Sequence, residues 1–144
     1  MEAGYTHLDT AAVYQNEEVV GAALAECFSK GKKREEIFVT TKLYHDKFDD
    51  VEGAIKESLT KLGLDYVDLY LIHWPMMYYA KKPLHQLWPD MEALVEKGLT
   101  KSIGLSNFNT QLIFDLLSYA KIKPVANQIE LNPQCTQTEI VKFL

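Results

Sequence analysis

Apolar residues recur along the chain in two alternating patterns. Short runs rich in β-branched and aromatic side chains, Tyr5 to Leu8, Ile37 to Thr41, Val67 to Ile72, Lys101 to Leu105 and Val125 to Ile129, are separated by longer stretches whose apolar positions fall three and four residues apart. The first pattern predicts strands and the second amphipathic helices. The runs start 24 to 34 residues apart, close to the roughly 30 residues that a strand, a crossover helix and a return strand occupy. The prediction is an α/β chain of about five parallel βα units.

The helices between the runs carry start and stop signals. Asp49 is the expected N-cap of one, with Val51, Ala54, Ile55, Ser58, Leu59 and Leu62 on its apolar face and Gly63 at its end. Asn16 opens another, with Val19, Val20, Ala23 and Leu24 turned inward and Glu17 and Glu18 in the favourable first turn. Asn109 caps a third that carries Leu112, Ile113, Leu116 and Leu117; Met91, Leu94 and Val95 belong to a fourth, and a fifth starts near Thr136.

Two parallel architectures compete. An open dinucleotide-binding sheet carries a glycine-rich loop after its first strand, and the sequence there, DTAAVYQNE, has no glycine. A closed barrel fits better. Eight strands and typically about 250 residues close such a barrel, whereas this chain has 144 residues and five predicted strands. The expectation is an incomplete (β/α)8 TIM barrel forming a single domain over residues 1–144.

Composition narrows the function classes. The chain is 47% hydrophobic and 24% charged, with a formal net charge of −5, as expected of a globular unit with a core. No basic block alternates with aromatics, which argues against nucleic acid as a partner. No run of 18 apolar residues occurs and MEAGYTHLD lacks the features of a secretory leader, so the expectation is a cytoplasmic protein that does not enter membranes. Cys27 and Cys135 are far apart, without CxxC spacing or a histidine cluster; they read as reduced thiols, and nothing indicates a metal site.

The strand ends carry the candidate chemistry. The predicted strands end in Asp9, Lys42, His73 and the pair Ser106 and Asn107, and the fifth carries Gln128. In a parallel barrel those ends surround one mouth. Taken singly, each has a bland reading: a solvated lysine, a packed histidine, a Ser-Asn helix cap, a glutamine that ties down a loop. Five successive polar strand ends are harder to assign to capping, and a site explains them better. Tyr14, after the first strand, adds a phenol. A free phenol has a pKa of about 10, too high for easy proton donation. Lys42 supplies a positive charge that stabilises a phenolate, Asp9 holds Lys42, and His73 hydrogen-bonds the carbonyl oxygen that Tyr14 protonates. No activated nucleophile stands at any strand end, and proton donation without one suggests that a cofactor brings the hydride.

With those residues in view the sequence resembles the aldo-keto reductases, carbonyl reductases built on a (β/α)8 barrel. GYTHLDTAAVYQNEEVVGAAL, IFVTTKL, DLYLIHWP, GLTKSIGLSNF and ANQIELNP are each similar to a family block, in family order. The resemblance implies a catalytic tetrad of Asp9, Tyr14, Lys42 and His73 with Tyr14 as general acid, and a nicotinamide carboxamide held by Ser106, Asn107 and Gln128, with Asp9 beside it. It implies NADPH as cofactor, with NADH left open, and a small-molecule carbonyl substrate. Trp74, Tyr44 and His73 line the implied substrate site. Tyr44 stands where relatives often have tryptophan, and Asn132 where they often have histidine.

Met76, Met77, Tyr78, Tyr79 and Trp88 divide evenly between pocket wall and packing, His7 packs beside the site, and His45 and His85 are expected to be exposed. By the same resemblance the chain corresponds to strands two to six of eight, lacking the first unit and the seventh and eighth units, so on its own it would have little activity. The alternative function is a non-catalytic structural or regulatory barrel, or a truncated binding product. A weaker third reading, an isomerase or aldolase, needs a Schiff-base lysine, which Lys42 with an acid and a phenol beside it fits poorly. Oligomeric state and substrate identity are not legible.

Overall fold

The computed structural model describes residues 3–144. Strands β1 (His7–Asp9), β2 (Phe38–Leu43), β3 (Val67–Ile72), β4 (Thr100–Ser106) and β5 (Asn127–Gln128) form one sheet in chain order, every neighbouring pair parallel. The register sets Asp9 beside Thr40, Lys42 beside Leu71 and Ser106 beside Gln128.

Edge strands β1 and β5 would lie about 19 Å apart in a flat sheet with strands spaced about 4.8 Å. Yet Gln128 Nε2 donates to Asp9 Oδ2 at 2.9 Å. The sheet is therefore curled into part of a barrel, with the carboxyl ends of the first and last strands facing across the mouth. Both edge strands are shorter than their apolar runs predict, because each pairs on one side only.

Helices α1 (Glu17–Ser29), α2 (Val51–Leu62), α4 (Leu84–Glu96) and α5 (Thr110–Tyr119) accompany the strands, with two short helices, α3 (Met77–Ala80) and α6 (Thr138–Phe143), in the loops. The cap of α2 is Asp50, one residue past the expected Asp49; its carboxylate accepts the Gly53 N–H. The helix ends at Gly63, whose φ of 66° is the left-handed conformation that glycine adopts without penalty. The cap of α5 is Asn109, which accepts from the Leu112 N–H. Asn16 starts α1 without capping it through its side chain: its Oδ1 accepts instead from Thr10 Oγ1 at 2.8 Å. Helix α6 starts at Thr138 rather than near Thr136.

The core lies between the outer face of the sheet and the helices, with Leu24, Val39, Ile55, Tyr70, Trp88, Leu94, Ile103 and Leu116 fully or almost fully buried. Val19 and Leu117 were expected to face this core and Ala23 to join them, but all three are exposed. The inward face of α1 is narrower because Gly21 presses directly on α2, where a Cβ would come within 2.4 Å of the Lys61 carbonyl oxygen. Trp88 belongs to this core and not to a pocket wall; its Nε1 donates to the Ile122 carbonyl oxygen at 2.9 Å.

At the opposite end of the strands Asp68 knots three elements together. It accepts from the Val39 N–H, Arg34 and Lys101, and both cations also lie over the Tyr66 ring. Burial pushes the Asp68 carboxyl up, but those donors more than offset it and its pKa falls below the ordinary value.

Candidate active site

Alternation along β2 sends Val39, Thr41 and Leu43 toward the helices and Thr40 and Lys42 toward the barrel axis. Lys42 is fully buried, and its ammonium donates to Asp9 Oδ1 at 2.5 Å and to the Thr10 carbonyl oxygen at 2.9 Å. The same ammonium lies 5.1 Å from the centre of the Tyr14 ring. Tyr14 closes a single 3-10 turn, Ala12–Tyr14, and is half exposed. Its ring meets that of His73 edge-on, with centres 5.5 Å apart. Acid, ammonium, phenol and imidazole, from four segments, thus share one corner of the mouth.

His73 follows β3 and is 6% exposed. Burial, aided by the Lys42 ammonium and opposed by the Asp9 carboxylate, holds its imidazole below the ordinary value. The ring is therefore neutral at neutral pH. Its Nδ1 is sealed from solvent without a partner, which leaves Nε2 as the nitrogen that faces the site. With Nδ1 the buried nitrogen, a proton on Nε2 leaves no buried N–H without an acceptor.

Asn107 sits next to this group in the left-handed conformation, with φ 64°. Its Nδ2 donates to the His73 carbonyl oxygen at 2.9 Å and to Ser106 Oγ at 3.0 Å, and its N–H to the Gln128 carbonyl oxygen at 2.9 Å. Ser106 and Gln128 are register partners. The three residues singled out as carboxamide contacts are therefore adjacent, and Gln128 reaches Asp9. Among the described residues, the Ser106 hydroxyl proton, Asn107 Oδ1 and Gln128 Oε1 carry no hydrogen bond, a set of one donor and two acceptors that fits a primary amide.

Tyr44 packs its ring 6.0 Å from that of His73, and the Trp74 indole, 47% exposed, stacks at 27° over the same imidazole with centres 6.5 Å apart. A cleft of about 540 Å³ opens beside Trp74 and Asn107 and is lined further by Phe108, Ile129, Glu130 and Ile140. A similar groove between Phe114 and Phe143 shares Thr110 with this cleft and is lined by none of Asp9, Tyr14, Lys42 or His73. Tyr78 and Tyr79 project from α3 at 88% and 69% exposure. His7 bonds Thr40 Oγ1 and rests on Phe38, His85 is exposed, and His45, expected to be exposed, is half-buried against Tyr44.

Two contacts escaped the sequence reading. The Thr10 carbonyl is a second acceptor for Lys42, and backbone groups leave no residue-type signal. Asn107 also braces the His73 backbone, which depends on a left-handed conformation that its sequence position alone does not reveal.

The sequence model of the aldo/keto reductase family matches residues 1–144. The chain belongs to that family. It is 51% identical to aldo-keto reductase AKR2E4 of Bombyx mori over 98% of its own length and 48% of that protein. Against aldo-keto reductase family 1 member A1-A of Danio rerio the identity is 47%, over 98% of this chain and 50% of the relative. The crystal structure of the Bombyx mori protein in complex with NADP superposes with a TM-score of 0.92, covering 99% of this chain and 49% of that one. The aldose reductase of Giardia lamblia superposes with a TM-score of 0.90 at 41% identity, over 97% and 53%. This aldo/keto reductase chain thus spans about half the length of the relatives it matches, and its curled five-stranded sheet is an incomplete (β/α)8 barrel.

Proposed function

We propose that residues 1–144 supply strands two to six of an eight-stranded aldo/keto reductase barrel, and that the complete protein reduces a small aldehyde or ketone to an alcohol with NADPH in the cytoplasm. The observation that carries the reading is the convergence of Asp9, Lys42, Tyr14 and His73: an ion pair of 2.5 Å, a cation 5.1 Å from the phenol ring, and an imidazole 5.5 Å beyond.

Each group has a defined task. The Tyr14 hydroxyl donates the proton to the carbonyl oxygen as negative charge develops there. The Lys42 ammonium stabilises the phenolate left behind, and Asp9 and the Thr10 carbonyl keep that ammonium in place. The His73 Nε2–H donates to the same carbonyl oxygen and sets its direction toward Tyr14. Ser106, Asn107 and Gln128 would hold the carboxamide of the nicotinamide, which would supply the hydride when bound. Trp74 and Tyr44 wall the substrate with aromatic surface, and the Tyr44 hydroxyl makes that wall more polar than an indole would.

In the complete protein, NADPH consumption should require an aldehyde or ketone and should vanish in Lys42→Met. Failure of the wild type to turn over a broad panel of carbonyls contradicts the reading. The 144-residue chain alone should bind NADPH more weakly than micromolar, because β1 and β5 are unpaired on their outer sides and leave the barrel open; micromolar binding in a fluorescence titration refutes that part.

A further inference from the structure

Glu17 takes no part in the chemistry above, yet it is 3% exposed. Its carboxylate has two hydroxyl partners: Thr41 Oγ1 donates to Oε1 at 2.6 Å and Ser58 Oγ to Oε2 at 3.1 Å. The helix N-terminus and the nearby Lys61 ammonium favour a negative charge there, but with hydroxyl groups as its hydrogen-bond partners among the described residues, burying the carboxylate is still costly. A glutamine would fill the space at lower cost, so the position calls for an explanation beyond packing.

The explanation lies in what Glu17 ties together. Thr41 and Lys42 are neighbours on β2 and point to opposite faces, Thr41 to Glu17 and Lys42 to the site. Residues 10–17, the segment that carries Tyr14, are thereby fastened to β2 at both ends. At the near end the Thr10 N–H donates to the Thr40 carbonyl oxygen at 2.9 Å and the Thr10 carbonyl accepts from Lys42. At the far end Glu17 holds Thr41. Thr10 Oγ1 donates to Asn16 Oδ1 at 2.8 Å, which closes the segment on itself. Tyr14 is half exposed, with the His73 ring and the Lys42 ammonium as its neighbours, and Gln15 behind it turns the chain through a left-handed φ of 55°.

We infer that Glu17 is a positioning residue: through Thr41 it fixes the Tyr14 segment against the strand that carries Lys42, and so sets the distance between the general acid and the ammonium. The inference rests on the reductase reading for its kinetic test but not for its structural one. In the complete protein, Glu17→Ala lowers kcat about tenfold, with KM for the carbonyl and Kd for NADPH changed by less than about twofold, because small misplacements of a reacting group reduce rate more than binding. Glu17→Gln, whose amide oxygen accepts from Thr41, keeps roughly half or more of the wild-type kcat. Thr41→Val reproduces the alanine loss, and the Glu17→Ala/Thr41→Val pair loses no more than either alone.

An unchanged kcat per folded molecule with only a lowered Tm overturns the inference, and so does an additive loss in the double variant. Hydrogen exchange in the 144-residue chain separates this question from the reductase reading. The amides of Tyr14 and Gln15 donate to the Ala11 and Ala12 carbonyls at 3.0 and 3.2 Å, and Glu17→Ala should speed their exchange about tenfold relative to the amides of β3. If the wild type reduces no carbonyl, the reductase reading falls and exchange alone decides; equal acceleration throughout the chain overturns the positioning role.

Discussion

The Lys42 ammonium is fully buried while its partner, the Asp9 carboxylate, keeps 34% of its side chain exposed and takes a second hydrogen bond from Gln128. The ion pair is asymmetric, and the two ways of breaking it should differ. Asp9→Ala strands a charge in the interior and should cost about 3 kcal/mol or more. Lys42→Met leaves a carboxylate that water and Gln128 still solvate, and should cost clearly less. Urea denaturation of both variants tests the order; equal losses would mean that Lys42 is better solvated than its burial implies.

The contact between α1 and α2 sets up a second test. Alanine exceeds glycine in helix propensity by about 1 kcal/mol, so Gly21→Ala would stabilise an isolated α1. Here a Cβ would lie 2.4 Å from the Lys61 carbonyl oxygen and 2.9 Å from the Leu62 backbone. The two helices would have to separate, at a cost of about 1–3 kcal/mol. Thermal denaturation should show a lower Tm for Gly21→Ala than for the wild type, and a higher one would contradict the close approach.

His73 ties stability to pH. Burial first, and the Lys42 ammonium second, keep its imidazole below the ordinary value in the folded chain. The unfolded chain takes up that proton near pH 6.5. Below that value the unfolded state binds more protons than the native one, so stability is complete above about pH 6.5 and falls as pH drops through the lower native value. His73→Gln should flatten the decline in urea midpoint over that window, and a profile parallel to wild type would show that other groups set it.

The fold was legible in the sequence because parallel βα units repeat at a regular spacing, and the candidate site because polar residues recur at five successive strand ends, which capping alone explains poorly. The third strand, Val67–Ile72, matches its apolar run residue for residue, while β2 and β4, also paired on both sides, continue past theirs to Leu43 and Ser106 because the polar Lys42 and Ser106 end the apolar runs. The outer strands are shorter than theirs, because a run such as Val125 to Ile129 signals burial while pairing needs a neighbour. Position within α1 was misread at Val19 and Ala23, where helical periodicity gives a face but not its width, and Gly21 narrowed it. Asp9, Tyr14, Lys42 and His73 stood out only together, as successive strand ends and through the family resemblance; that Gln128 closes on Asp9, and that Glu17 sits beneath Thr41, depends on how the sheet curls and which side each strand residue takes.

Tyr14 is the proposed proton donor on which the reductase chemistry depends. In the complete protein, Tyr14→Phe keeps the ring against His73 and removes only the hydroxyl. Carbonyl reduction should fall by roughly 10²–10⁴-fold while the Kd for NADPH stays within about twofold of wild type. Turnover equal to wild type at unchanged cofactor affinity would contradict it.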